Sequence, residues 1–582
     1  MKVFKDLFWY FKQEKWSYGG GVGILFLVSL LTLVPPYIIG IIIDAIATNT
    51  LTESMLMRFM GILLFIGIAS YVLRYIWRIL IFGSSIKLAR LLRNNLYHHF
   101  TSMPSSFFQR RRTGDLMAHA TNDIRAVEQT AGAGVLTLVD SLTMGGLVII
   151  TMAATISWEL TLIALIPMPI MAFATSKYGS MLHKRFGVAQ AAFSSLNDKV
   201  QESMSGIRVV KAFGYEEKEI EAFKEQSEDV VAKNMRVAKV DALFDPTISL
   251  IVGISFFLSI VFGAGYVING ALTIGQLTSF TVYLGLLIWP MLAFGWLFNI
   301  VERGRASYDR IRLLFEEKNE ITESTYAVTS MERFDLTFRI DHLTYGGSEL
   351  LKNIHAHVKE GQTLGLAGKT GSGKSILIKS LMRDFDITVG DVFIGGESIK
   401  NYSLDRLRQS IAYVPQDHFL FSATIADNIA FAKPDASYEE IIRAAKSARI
   451  HEDIATFKDG YETIVGERGV TLSGGQKQRL SIARALLSDP SILILDDSLS
   501  AVDAKTEEAI LSELRGLRSG KTTIITTHRL SAIEHADLIL VLHDGAVSEE
   551  GTHEELMQKD TWYRAMYQSQ QLESAVMRGG DA

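Results

Sequence analysis

GKTGSGKS, residues Gly368–Ser375, decides how this chain reads. It fits G-x-x-x-x-G-K-[ST] at every fixed position, and the mostly apolar run Thr363–Ala367 leads into it as a buried strand would. Loops of this pattern wrap backbone N–H groups around nucleotide phosphates. Gly368, Lys369, Thr370, Gly371, Ser372 and Gly373 form the cradle, Lys374 reaches the terminal phosphates, and the Ser375 hydroxyl holds Mg²⁺. A helix over Ser375–Met382 is expected to add its positive N-terminal end. A chance glycine-rich turn is the competing reading, and it gives way once the downstream residues are added.

Downstream, Ser491-Ile492-Leu493-Ile494-Leu495 is an almost continuous apolar run and reads as a buried parallel strand. It delivers Asp496 and Asp497 at its C-terminal end, where open α/β sheets place their ligands. Asp496 is the expected Mg²⁺ partner of the phosphate loop.

Composition separates two halves. Of 582 residues, 48% are hydrophobic and only 21% charged, and the apolar residues concentrate before about residue 300. A mean hydropathy of +0.20 tilts the chain toward a membrane protein. The net charge of −5 gives no argument for nucleic acid, and the absence of cysteine excludes disulfides, thiolate metal sites and thiol chemistry. No cleavable signal is expected, because the first apolar run is too long and lacks a small-residue cleavage site.

Met1–Trp16 mixes aromatic residues with Lys2, Lys5, Lys12 and Lys15, which suits an amphipathic helix in the membrane interface. Ser17–Ile43 carries no charge and is long enough to span ~30 Å of hydrocarbon, with a kink expected at Pro35-Pro36. Further apolar segments fall at Leu56–Phe82, Ala131–Ile156 and Leu160–Ser176. Pro246–Val301 contains no charge and has room for two spans turning at Asn269-Gly270, giving six in all. Gly83–Thr130 and Lys177–Asp241 are rich in Lys and Arg, whereas the alternate connections have none, so both termini are expected in the cytoplasm. The basic connections are too helical in pattern to be loops and read as spans continuing into the cytoplasm.

Within the spans, Arg74 and Asp140 sit at similar depth, so a neutralising pair is the favoured expectation over a substrate contact. Phe256, Phe257, Trp289, Met291, Phe294, Trp296 and Phe298 offer lining for an adaptable apolar cavity. After Glu302 charge returns, and strands alternate with helices from Arg333 onward. The expected division is a membrane domain over 1–315, a linker over 316–332 and a nucleotide-binding domain over 333–582. The fold class is therefore multi-domain: an all-α six-helix transmembrane domain followed by an α/β P-loop ATPase domain.

LSGGQ at Leu472–Gln476, with the phosphate loop and the acidic strand end, resembles the signature of ATP-binding cassette (ABC) transporters. The resemblance covers nearly the whole chain and implies ATP and Mg²⁺ as cofactors. It makes Tyr345 the aromatic that stacks on adenine and Gln416 the glutamine that senses Mg²⁺ and the membrane domain. Ser473, Gly474, Gly475 and Gln476 then close over the nucleotide of another subunit. Glu467-Arg468-Gly469 resembles the loop before the signature, Ser500–Asp503 the dimer-contact loop and His528 the switch histidine. Phe107–Asp123 and Glu202–Glu219 resemble the intracellular connections whose short helices touch nucleotide domains in ABC exporters.

One position departs from the family. The catalytic residue after the Mg²⁺ aspartate is usually Glu, and here it is Asp497. A general base must come within about 2.6–3.2 Å of its proton. A displacement of ~1 Å can cost on the order of 100-fold. The resemblance thus implies a weakly hydrolysing site and a second half-transporter as partner, a heterodimer being favoured over a homodimer. The expected activity is ATP-driven export of hydrophobic or amphipathic compounds from a bacterial inner membrane, with lipid and no nucleic acid as partner. A lipid or lipid-linked substrate, or a nucleotide-gated channel or regulatory subunit, are the alternatives.

Overall fold

The structure, a computed structural model, describes residues 2–323, 328–466 and 472–579, without the side chains of residues 172, 294, 295 and 574–579. Glu467, Arg468 and Gly469, the Phe294 side chain and part of the expected 316–332 linker lie outside the described residues. The chain forms two units, Met1–Ser102 with Arg111–Lys318, and Met103–Arg110 with Asn319–Ala582.

Among the described residues of the first unit, six helices are long and apolar enough to cross a membrane: α1 (Lys15–Ala47), α2 (Glu53–Ser102), α3 (Thr113–Thr155), α4 (Trp158–Ser205), α5 (Glu216–Ile268) and α6 (Ile274–Glu316). Helices satisfy every backbone group internally, which a hydrocarbon environment demands. At 50 residues α2 is about 75 Å long, well over the ~30 Å hydrocarbon thickness. The basic stretches after the second and fourth apolar segments are therefore helical extensions rather than loops. Helix α1 is interrupted at Leu33, just before Pro35-Pro36, and α6 supplies donors there. Tyr283 Oη donates to Leu33 O at 2.6 Å and Ser279 Oγ to Pro36 O at 2.8 Å. Between α5 and α6, Asn269 and Gly270 make the turn, and Thr273 starts α6 with a capping box completed by Gln276.

Before α1, two short helical pieces, Lys2–Asp6 and Phe8–Gln13, bury Val3, Leu7 and Tyr10. Phe8, Trp9 and Trp16 point outward. The anticipated Arg74–Asp140 pair is not made: Arg74 is exposed, Asp140 is half-buried, and the two interact only through longer-range attraction. The reason lies in the packing. Helix α2 lies on α3 around Ser85 and Gly132, while beyond Gly134 α3 packs on α1 and α6 instead. A polar contact was realised elsewhere. Two π-helical turns in α3, His119–Asp123 and Thr130–Gly134, bring Asp123 and Thr130 onto α6. Ser307 Oγ and Arg310 Nε donate to the Asp123 carboxylate at 2.8 and 3.0 Å, and Thr130 Oγ1 donates to Ile300 O at 3.0 Å.

The described residues of the second unit form two sheets. Strands β1 (Leu336–Tyr345), β2 (Ser348–Val358), β4 (Val389–Ile394) and β5 (Glu397–Ser398) form an antiparallel sheet in the order β2-β1-β4-β5. The other runs β10-β9-β3-β8-β7-β6, from β3 (Thr363–Gly368), β6 (Ile411–Val414), β7 (Ile492–Asp496), β8 (Thr522–Thr526), β9 (Leu538–His543) and β10 (Ala546–Gly551). Strands β9, β3, β8, β7 and β6 pair in parallel. All five residues of β7 are buried, as a continuous apolar run requires. Four helices carry the site: α7 (Lys374–Leu381), α8 (Gly474–Leu487), α9 (Ala504–Leu517) and α10 (Trp562–Gly579). The segment Met103–Arg110 joins this unit, with Arg110 paired to Glu320 at 2.9 Å.

Candidate nucleotide site

Strand β3 hands the chain to the phosphate loop at Gly368, whose φ of +138° is open to glycine and little else. A Cβ there would stand 2.3 Å from the backbone oxygen of Leu542. Lys374 opens α7 and folds back, donating to Gly368 O at 2.8 Å and Lys369 O at 3.0 Å. Burial pushes its ammonium pKa down, opposed by the nearby Asp497 and Asp496 charges. Beside it Ser372 Oγ is buried without a partner among the described residues. A polyanion suits this arrangement: it would give Ser372 an acceptor and Lys374 a counter-charge.

Asp496, at the end of β7, is held from three directions. Ser375 Oγ lies 3.2 Å away, Thr526 Oγ1 donates at 2.7 Å and Tyr413 Oη at 2.9 Å. Burial and the Asp496 charge together push the Tyr413 phenol upward, so it stays a proton donor. Ser375 and Asp496 thus offer two adjoining hard oxygen ligands, the donor set that Mg²⁺ takes.

Asp497 follows in the left-handed region, at φ +46°, a conformation Asp tolerates better than most residues. Its N–H reaches both the backbone oxygen and the hydroxyl of Thr526 at 3.0 Å. Its carboxylate accepts from Gln416 Nε2 at 3.3 Å, so two residues 81 positions apart meet. Two residues beyond Gln416, burial lowers the His418 pKa to about 4, which keeps that imidazole neutral. His528 is exposed and lines a cavity of about 420 Å³ with Gly368, Lys369 and Thr370.

The family model for the ABC transporter transmembrane region matches residues 21–291, and the ABC transporter model matches residues 351–500. The chain is 48% identical to the multidrug resistance-like ATP-binding protein MdlA of Escherichia coli strain K12, over 99% of this chain and 98% of that one. This chain belongs to the ABC transporter family. It is also 46% identical over the full length of both chains to a probable multidrug resistance ABC transporter ATP-binding/permease protein, YheI, of Bacillus subtilis strain 168. A bacterial Atm1-family ABC exporter with ATP bound matches it with a TM-score of 0.80 at 25% identity, covering 95% of this chain and 99% of that one. The protein is thus a multi-pass membrane ABC exporter with an ATP-binding cassette.

In this ABC exporter the signature is a helix start. Ser473 caps α8, and Gln476 completes a capping box by accepting the Ser473 N–H at 3.0 Å. Gln476 Nε2 also donates to Asp453 at 2.9 Å. Gly474 and Gly475 pack on Ala501, where a Cβ would come within 3.6 Å of the Ala501 Cβ and 3.1 Å of its oxygen, respectively. Within one chain the signature therefore sits on Ser500–Asp503. Asp503 caps α9, accepting from Thr506 N at 3.0 Å. Tyr345 ends β1 half-buried, edge-on to Phe385 at 5.1 Å.

Sequence reasoning missed three contributors. Tyr413 and Thr526 lie at the ends of strands flanking β7, and only strand order puts them at Asp496. Gln478, buried in α8, accepts from Ala501 N at 3.0 Å and fixes the Ser500–Asp503 stretch to the signature helix. A polar residue two positions beyond LSGGQ was the only available sign.

Proposed function

We propose that this chain is one half of a heterodimeric exporter of hydrophobic or amphipathic compounds, with both termini on the cytoplasmic face of a bacterial inner membrane. In this reading its own phosphate loop forms the slower of two ATP sites. The observation that carries it is Asp497, which stands directly after the Mg²⁺-binding Asp496 and engages Gln416 at 3.3 Å.

Lys374 and the phosphate-loop amides hold the phosphate chain, while Ser375 and Asp496 supply oxygen ligands to Mg²⁺. When bound there, Mg²⁺ would offset charge on the phosphate oxygens. Asp497 orients the attacking water and accepts its proton, and Gln416 steadies that carboxylate. His528 donates to charge developing at the terminal phosphate. Tyr345 stacks on the base. The signature residues Ser473, Gly474, Gly475 and Gln476, with Asp503, face the partner's nucleotide. A carboxylate one methylene short leaves the base farther from its water, which slows the chemical step without weakening binding.

ATPase activity in nanodiscs tests this, using the chain alone and co-expressed with a candidate partner cassette. The lone chain should turn over slowly, and Asp497→Glu should raise kcat about 10-fold or more with little change in KM. A lone-chain dimer that hydrolyses ATP at full rate with Asp497 would withdraw the slow-site reading and leave export intact. Stimulation by lipid alone, with none by amphipathic drugs, would move the substrate to a lipid.

A further inference from the structure

Helix α10, near the C-terminus, grips the loop that carries His528. Gln570 Nε2 donates to the backbone oxygen of His528 at 2.7 Å, and Gln570 Oε1 accepts from the backbone N–H of Leu530 at 2.9 Å. One amide thus brackets Arg529, using both its polar atoms on the two peptide units that fix where His528 points. Arg529 anchors the other side of the same loop. Its guanidinium donates to Val502 O at 3.1 Å, to Ser500 O at 3.3 Å and to Glu507 Oε2 at 2.7 Å. The histidine loop is therefore tied to α10 on one side and to the dimer-contact stretch on the other.

The helix presenting Gln570 is itself firmly seated. Trp562, Tyr563, Met566, Tyr567 and Gln570 recur at helical spacing on one face. Tyr563 is fully buried, with its hydroxyl 2.9 Å from His553 Nδ1. Tyr567 Oη donates to Glu534 at 2.7 Å. Trp562 and Met566 line the cavity that also holds His528 and Gly368–Thr370. A side chain on so fixed a helix holds its partner far more closely than one on a mobile tail.

We propose that Gln570 is a positioning residue for hydrolysis, holding the His528 backbone so that the imidazole aims at the terminal phosphate. The role rests on the reading of His528 given above. Gln570 acts through the loop rather than on the phosphate. Its loss frees two backbone groups and lets the histidine wander, with the phosphate loop and the Mg²⁺ ligands untouched.

The test uses the full chain purified alone in nanodiscs, where any turnover draws on its own phosphate loop and His528. If wild-type turnover is slow, the series is built on Asp497→Glu. Gln570→Ala should lower kcat about 10-fold, by the sensitivity of catalysis to small misplacements, while KM for ATP changes less than twofold. Gln570→Glu keeps the acceptor for Leu530 N–H and should recover part of the loss. In a His528→Ala background Gln570→Ala should have no further effect. Amide hydrogen exchange at Leu530 should quicken in Gln570→Ala even without turnover. Unchanged kcat, unchanged exchange at Leu530, or an equal loss in the His528→Ala background would each overturn the proposal. Full activity in His528→Ala alone would instead overturn the role of the histidine.

Discussion

The phosphate loop and the signature are both glycine-rich stretches opening a helix, yet they use glycine for different reasons. In Gly368–Ser375 the backbone itself is unusual: Gly368, Gly371 and Gly373 have φ of +138°, +82° and +104°. Such turns aim successive N–H groups into one concavity, which is why the loop binds anions. In Leu472–Gln476 no described residue has positive φ, and Gly474 and Gly475 are ordinary helical residues after a capped serine. Their glycines serve close approach to Ala501. One loop is shaped to receive a ligand; the other is shaped to lie flat on a neighbouring stretch.

That contrast makes substitutions unequal. Gly368→Ala adds a Cβ 2.3 Å from a backbone oxygen in a conformation closed to alanine, so it should cost about 3–6 kcal/mol. Thermal unfolding of the cassette, with loss of ATP binding, checks this; a melting temperature near wild type would remove the distinction. Ser473→Ala deletes the cap of α8 and should cost about 1 kcal/mol, read as a modest fall in the same melting temperature. Gly475→Ala must push the Ala501 oxygen back from 3.1 Å, whereas Gly474→Ala meets only ordinary contact at 3.6 Å and gains helix propensity. The first should lower stability by about 1 kcal/mol and the second should leave it unchanged or raise it. Equal effects at the two positions would show that approach to Ala501 does not explain these glycines.

The membrane unit shows how polar groups are spent when they are few. Asp44, near the C-terminal end of α1, accepts from Gly275 N at 2.7 Å and Thr273 Oγ1 at 2.6 Å at the start of α6. Asp123 ties α3 to the same helix some distance along it. Both carboxylates join α6 to another span, so α6 is tied to α1 at its start and to α3 farther along. The Arg74–Asp140 expectation failed on this point, since matching depth along two spans does not make them adjacent.

Much of this protein was legible in its sequence because the signals are local. The phosphate loop is eight consecutive residues whose pattern encodes its own backbone shape. Six spans follow from apolar stretches of sufficient length, and the buried strand before Asp496 follows from an unbroken apolar run. Asp497 was visible as a departure because it is one residue beside a fixed landmark. Tertiary structure alone decided what depends on strand order and helix docking. Tyr413 and Thr526 reach Asp496 only because β6 and β8 flank β7. Gln570 reaches the histidine loop across 42 residues, through a helix whose docking no local pattern specifies. Hydrogen bonds of that kind act over about 3 Å, so they exist only once the core has packed and brought distant segments to that separation.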